Sequence, residues 1–296
     1  MIRIRDILDY LNGEGFEYEF FGSEDAAITG FSSLSHYEEG NLTWVKTQDN
    51  YDKSQFEGRI RLAVVQSGVK TEAENIIETD ISKRVFFEIL EHFFGESDEV
   101  PPIGQGTYIS PKVRIGKDVR IGHNCTLDGE ITIGDGTRIY NNVNIINRCR
   151  IGKNCVIQSG VNIGHDGFGY TEDEKHVKTM VRHFGGVSIG DEVMIGANTC
   201  IARGTIDDTS IGNGSKIDTL CHIAHNVTIG KNVTLIAGSI IYGSVTLGDN
   251  SYIATGIVKN QHKIEKNAFV GMGSVVVKDV PDGATVYGVP ARERDE

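Results

Sequence analysis

The sequence predicts a mainly β chain in which a long parallel β-solenoid follows a small α+β domain, and three observations lead there. Ile109, Ile115, Ile121, Leu127, Ile133, Ile139, Ile145, Ile151, Ile157 and Ile163 recur at every sixth residue, and Ile211, Ile217, Ile223, Ile229, Leu235, Ile241, Leu247 and Ile253 resume the beat. A half-buried strand repeats every second residue and a helix about every 3.6, so this period requires short flat strands separated by corners, each coil stacked on the one before. The chain has 36 glycines and only 5 prolines. Many of those glycines directly follow the hexad aliphatic, as in Ile115-Gly116 and Ile121-Gly122, which marks regular corners rather than disorder. Residues 1 to about 100 lack the beat altogether.

Taken in order, the amino-terminal domain (1–100) starts with Ile4, Ile7, Leu8 and Leu11 at helical spacing. Arg61-Leu62-Ala63-Val64-Val65 reads as a buried strand, and Val85 to Phe94 as a second amphipathic helix. Pro101-Pro102 closes the domain. Over 101–280 three hexads make an 18-residue triangular coil, so residues 18 apart lie one above the other, about 4.8 Å apart, for roughly eight coils. Residues 281–296 read as a carboxy-terminal tail. Cys125, Cys149, Cys155 and Cys221 stand four places after a hexad aliphatic, where a small side chain points into the coil, so packing explains them better than disulfides. The beat breaks at three places: an excursion over 165–187 rich in Gly, charge and His, a phase shift between Ile201 and Ile211, and a slip after Ile253. Loops as long as the first usually carry function.

Composition excludes some classes. A formal charge of −12 with no basic stripe argues against nucleic-acid binding, which needs Lys and Arg on phosphates. With no signal-like run at the amino terminus and no long apolar stretch, the expected location is the cytoplasm, with peripheral membrane contact left open. The chemically richest segment is Asp218 to Val227. His225 lies two residues past Ile223, at a corner where a side chain leaves the prism, and His222 precedes the same aliphatic and points outward. Gly243, 18 residues after His225, stacks one coil above the imidazole with no Cβ to block a ligand. A histidine that takes a proton beside a backbone N–H facing an oxyanion is the pairing acyl transfer needs. His262 follows 37 residues after His225, past the slip. An acyl-chain groove, if present, would run past Ile223, Ile241, Tyr242 and Ile257.

The run His165-Asp166-Gly167-Phe168-Gly169-Tyr170, the stretch Gly196-Ala197-Asn198-Thr199 leading to Arg203-Gly204 and Asp207-Asp208-Thr209, and Ile223-Ala224-His225-Asn226-Val227 resemble the UDP-3-O-(3-hydroxyacyl)glucosamine N-acyltransferases of lipid A synthesis. The similarity extends through Ile28-Thr29-Gly30 and Gly40-Asn41-Leu42-Thr43-Trp44. The resemblance implies a left-handed β-helix and a homotrimer with active sites between subunits, an assembly also expected because an outward histidine on a rod needs a second surface to shape a cleft. It implies His225 as general base, Gly243 N–H as oxyanion donor, His262 as an assistant near the acyl carbonyl, and Asp218 as the acid orienting His225; the outward His222 is expected as a substrate contact. Trp44 and Tyr51 would hold the uracil between them.

The partners implied are a UDP-sugar and an acyl donor on acyl carrier protein, with no cofactor required. Ala202 and Thr219 stand where the family usually has Asp and Asn, and the ending Tyr287-Gly288-Val289-Pro290-Ala291-Arg292 is similar to coenzyme A-dependent hexapeptide acetyltransferases, so acetyl-coenzyme A is the alternative donor. A zinc-dependent hydration site built from some of the nine histidines, and a non-catalytic binding rod, are the competing classes.

Overall fold

A computed structural model describes residues 1–54, 58–95 and 100–293. The chain divides into two compact units, Met1–Asp98 and Glu99–Glu296.

The first unit is built on a four-stranded sheet ordered Glu19–Phe21, Ile76–Thr79, Leu62–Gln66, Leu42–Val45, parallel except for the first strand. Helices α1 (Ile4–Gly13), α2 (Gln48–Ser54) and α3 (Ser82–Phe94) surround it. The helical spacing at the amino terminus does what it predicts: Ile4, Ile7, Leu8 and Leu11 are all buried. Alternation along the strands sends Leu42, Leu62 and Val64 into a cluster with α1 and α3, and Val45, Ala63 and Val65 into a second cluster on the opposite face.

The two aromatic residues expected to pair stand on different elements, Trp44 on the strand Leu42–Val45 and Tyr51 on α2. Trp44 packs with the first cluster, its indole Nε1 donating to Ser82 Oγ at 3.1 Å, whereas Tyr51 packs with the second and its hydroxyl accepts from Glu72 N at 3.0 Å. A base held between both rings is therefore not what this unit offers.

Among the described residues the second unit is a solenoid with three faces, of nine, eight and ten strands, parallel but for the last strand of the third face. Leu127 pairs with Ile145, Ile133 with Ile151 and Ile139 with Ile157, each 18 residues apart, as the hexads require. Nine rungs stand on the first face where the repeat suggests about eight, for a length of about 40 Å. The inward aliphatics are almost wholly buried, from Ile121 to Val286, each contributing roughly 1.5–3 kcal/mol relative to exposure. Cys125, Cys149, Cys155 and Cys221 lie among them as free thiols. Burial raises all four, and Cys149 is pushed up to about 12, chiefly by burial and secondarily by Asp208.

Corners put single residues in the left-handed region, a role Asn tolerates better than most: Asn124, Asn142, Asn154, Asn226, Asn232 and Asn250 all have positive φ.

The register records each break. Cys149 pairs with Val187, 38 residues on, because the excursion is inserted there; Val187 pairs with Thr209, 22 on; Ile241 pairs with Val258, 17 on. Residues expected as a tail begin with another rung: Thr285–Tyr287 pairs with Phe269–Val270 and then turns back on Arg292–Glu293. Among the described residues no helix is long and apolar enough to cross a membrane.

Candidate active site

The excursion lies against the rungs that follow it. Tyr170–Glu172 and Lys178–Met180 form an antiparallel hairpin, and both stems are fastened to the phase-shifted corner at 203–208. At one stem Asp166 Oδ1 lies 3.0 Å from Nε of the buried Arg203, at ion-pair distance but not aligned as a hydrogen bond. At the other, Asp208 Oδ1 pairs with Arg148 and accepts from Gly186 N at 2.7 Å, while Phe184 N and Gly185 N donate to Thr205 O and Gly204 O. The extra residues of the second break are thus what the excursion holds onto.

His225 lies between the excursion and the next rung. A Cβ on Gly243 would come within 2.9 Å of the His225 Cε1 and 3.0 Å of Nε2; one on Gly167 would come within 2.6 Å of Cδ2. The ring thus fills a slot that exists because both neighbours are glycine. Gly243 stacks over it as the 18-residue rule requires, with Ser244 N donating to His225 O at 3.0 Å. The Gly243 N–H itself makes no hydrogen bond among the described residues and is free to donate.

The hydrogen bonds to the ring differ from expectation. Asp218 sits at another corner, where its carboxylate accepts from Thr219 N and Ala237 N, and it does not orient His225. The partner of His225 Nδ1 is the neighbouring Asn226 side-chain nitrogen, at 3.1 Å. Asn226 Oδ1 is identified by two donors, Thr205 N at 2.7 Å and Thr205 Oγ1 at 2.9 Å, so the group facing the imidazole is the NH2. The Phe168 backbone lies near the ring on the side of the excursion. Burial first, and then His183, hold the His225 pKa below the ordinary histidine value, with the Phe168 carbonyl opposing them.

A cavity of about 570 Å³ opens beside this ring, walled by His165, Phe168, Tyr170 and Met180 of the excursion and by His222, Tyr242, Gly243, Asn260 and Gln261 of the rungs. The rod therefore supplies two walls of a cleft by itself. His222 is half-buried and its pKa is lowered by burial and by His165. His165 and His183 donate from Nδ1 to the carbonyls of Asp166 and Val181, which leaves each Nε2 a buried lone pair with no partner among the described residues. The His183 ring stands edge-on to His225 at 5.3 Å.

His262 is not part of this wall: the one-residue slip puts Asn260 over Gly243, and His262 Nδ1 pairs with Asp279 Oδ1 at 2.9 Å. Ile223 and Ile241 are fully buried and line no groove, whereas Tyr242 is 47% exposed and Ile240 and Ile257 face outward, half-buried. In the first unit a cavity of about 390 Å³ is bordered by Trp44, Lys46, Asn50 and Lys53, without Tyr51. Among the described residues no group of three or more His, Cys, Asp or Glu is placed to hold a metal ion.

The sequence brought His225, Gly243 and His222 together and missed Gly167, Asn226, His165 and His183. Gly167 and Asn226 lie inside conspicuous motifs, but only the fold shows what they touch.

A solenoid of this geometry with a histidine slot at a corner defines the class, and the comparisons agree. The bacterial transferase hexapeptide family (six repeats) matches residues 130–165 and 208–239, and the hexapeptide repeat of succinyl-transferase matches 112–146, 186–219 and 226–258. The left-handed β-helix is shared with UDP-N-acetylglucosamine O-acyltransferase from Moraxella catarrhalis, with a TM-score of 0.60, 25% identity, and 66% of this chain and 74% of that chain covered. UDP-N-acetylglucosamine acyltransferase from Francisella novicida gives a TM-score of 0.58 and 28% identity over 64% of this chain and 68% of that one.

More particularly, the curated homologues are named UDP-3-O-acylglucosamine N-acyltransferase. That of Methylorubrum extorquens (strain PA1) is 42% identical over 136 residues, 44% of this chain and 37% of the relative. That of Caulobacter sp. (strain K31) is 40% identical over 130 residues, with 44% and 38% covered. The match thus spans less than two fifths of the length of these relatives.

Proposed function

We propose that the chain is an N-acyltransferase that moves a 3-hydroxyacyl group from a carrier-protein thioester to the 2-amine of a UDP-3-O-acylglucosamine, a step of lipid A synthesis. One observation carries the reading: a histidine ring fixed between two glycines stands beside an unpaired Gly243 N–H on the wall of a cavity of about 570 Å³. Attack of an amine on a thioester carbonyl builds negative charge on the acyl oxygen, and a preorganised N–H there is usually the largest single contribution to rate. The names of the curated homologues support the amine and the UDP-sugar. The outward Ile240, Tyr242 and Ile257 offer the acyl chain an apolar path, each buried CH₂ contributing about 0.8 kcal/mol.

Trp44 with Lys46 and Lys53 offers a ring and positive charge for the nucleotide. The active assembly in this reading is a cyclic homotrimer, and the location is the cytoplasm.

The test supplies the amino sugar with 3-hydroxyacyl carrier protein or with acetyl-coenzyme A. Long-chain amide product, lost by about 10²–10⁴-fold in His225→Ala, supports the reading. Transfer of acetyl alone overturns the donor and the lipid pathway while leaving N-acyl transfer in place.

A further inference from the structure

The outward residues of the solenoid's second, eight-stranded face form a column with one member per rung: Arg114, Thr132, Arg150, Ser188, Ser210 and Thr228. Arg114 and Arg150 are 36 residues apart in sequence but two rungs apart in space, on either side of Thr132. The corner leading into the same three strands carries Lys112, Glu130 and Arg148. These six residues are exposed and line a cleft of about 720 Å³.

Acidic residues outnumber basic ones in the chain, 41 to 29, yet this cleft gathers four cations around one carboxylate, that of Glu130. Arg148 is tied to Asp208. Lys112, Arg114 and Arg150 have no ion pair or side-chain hydrogen bond among the described residues, and the Thr132 hydroxyl has no partner there either. Like charges gathered at rung spacing repel one another, and an anion from outside the chain relieves that repulsion.

The geometry selects among anions. Two rungs span about 10 Å, so the two long arginine side chains reach a common point above the Thr132 hydroxyl. A carboxylate offers two coplanar oxygens, which one guanidinium fork already occupies. A phosphoryl group offers three oxygens in three directions and takes two forks and a hydroxyl donor at once.

We propose that this cleft binds a phosphoryl group, clamped by Arg114 and Arg150 over Thr132 with Lys112 beside it. Glu130 opposes such a ligand. The cleft is separate from the site of acyl transfer: three rungs, about 14 Å, lie between Arg150 and Thr228, the strand residue that follows the His225 corner, and no residue lines both cavities. A soluble phosphate ester and a lipid headgroup present the same oxygens, and the test distinguishes them.

The full chain is titrated calorimetrically with inorganic pyrophosphate at low ionic strength, and sedimented with vesicles of phosphatidylcholine alone or mixed with phosphatidic acid. Binding of pyrophosphate without vesicle capture assigns a soluble phosphate ester; capture that requires phosphatidic acid, without pyrophosphate binding, assigns a lipid headgroup. In either case Arg114→Gln and Arg150→Gln should each weaken binding about 10-fold, the scale of one lost hydrogen bond to a charged group. Glu130→Gln should tighten it, and Lys231→Gln, a cation elsewhere on the solenoid, should leave it unchanged. All four side chains are exposed, and equal thermal melts establish that the variants fold. The proposal is overturned if neither probe binds, if binding survives the Arg114→Gln, Arg150→Gln double variant, if Lys231→Gln loses as much as the arginine variants, or if malonate binds as tightly as pyrophosphate. None of these readouts depends on acyl transfer.

Discussion

Adding one methyl group at Gly243 should damage turnover far more than stability, and one at Gly167 should damage turnover as well. The new Cβ would lie 2.9 Å from His225 Cε1 in the first case and 2.6 Å from Cδ2 in the second, against about 3.5–4.0 Å for ordinary carbon contact. The ring must therefore move by roughly 0.5–1 Å. At Gly243 it can do so, because it is a half-buried side chain and an off-rotamer shift costs only about 1 kcal/mol; at Gly167 the new Cβ would also lie 2.8 Å from His225 Cβ, which the backbone holds, so the excursion must give way as well. A reacting group misplaced by about 1 Å loses on the order of 10² in rate. Gly243→Ala and Gly167→Ala should thus each lower kcat about 100-fold, and for Gly243→Ala the unfolding midpoint should move by a few degrees at most. Gly134→Ala supplies the contrast: its Cβ would meet the Gly152 backbone at 2.6 Å, which cannot step aside, so stability should fall without a specific loss of turnover per folded molecule. Turnover is measured with the amino sugar and acyl donor, and folding by thermal melts. If both site variants keep kcat within about two-fold of wild type, the slot is not what positions the ring.

Two further outcomes follow from burial. In the native protein only the half-exposed Cys200 should react promptly with a thiol reagent, and all five thiols should react after unfolding; rapid native labelling of Cys149 would contradict the packed solenoid. His222 and His225 have folded pKa values below the ordinary 6.5, so below that pH the unfolded chain binds protons that the folded one refuses. Stability should therefore fall as pH drops from about 7.5 through 6.5 and stop falling on their account below the folded values; the His222→Gln, His225→Gln double variant should lose less on acidification, and an unchanged urea-midpoint profile would show the two rings to be uncoupled from folding.

The solenoid was legible because its repeat is a local rule. One inward aliphatic every six residues and a corner between them determine the stacking, so the place of Gly243 above His225 could be counted along the chain before any coordinate was known. The same rule explains why Cys125 and Cys149 are buried. In the first unit, helical spacing marked α1 and α3 for the same reason.

What counting could not reach lies at the breaks. The excursion has no register of its own, and only its stems, held by Arg203 and Asp208, bring Gly167 onto His225. The slip after Ile253 decides that Asn260 rather than Gln261 stacks over Gly243, and His262 lies outside the cavity in either register. Packing puts Trp44 with one apolar cluster and Tyr51 of α2 with the other, although the family resemblance implied a pair. The sequence by itself determined the coil, its inward residues and the histidine at its corner, because those depend on neighbours at fixed spacing. Tertiary structure alone decided which groups touch the histidine, and with what hydrogen-bonding sense, because Thr205, Asn226 and Gly167 meet only when inserted loops of different length close on one another.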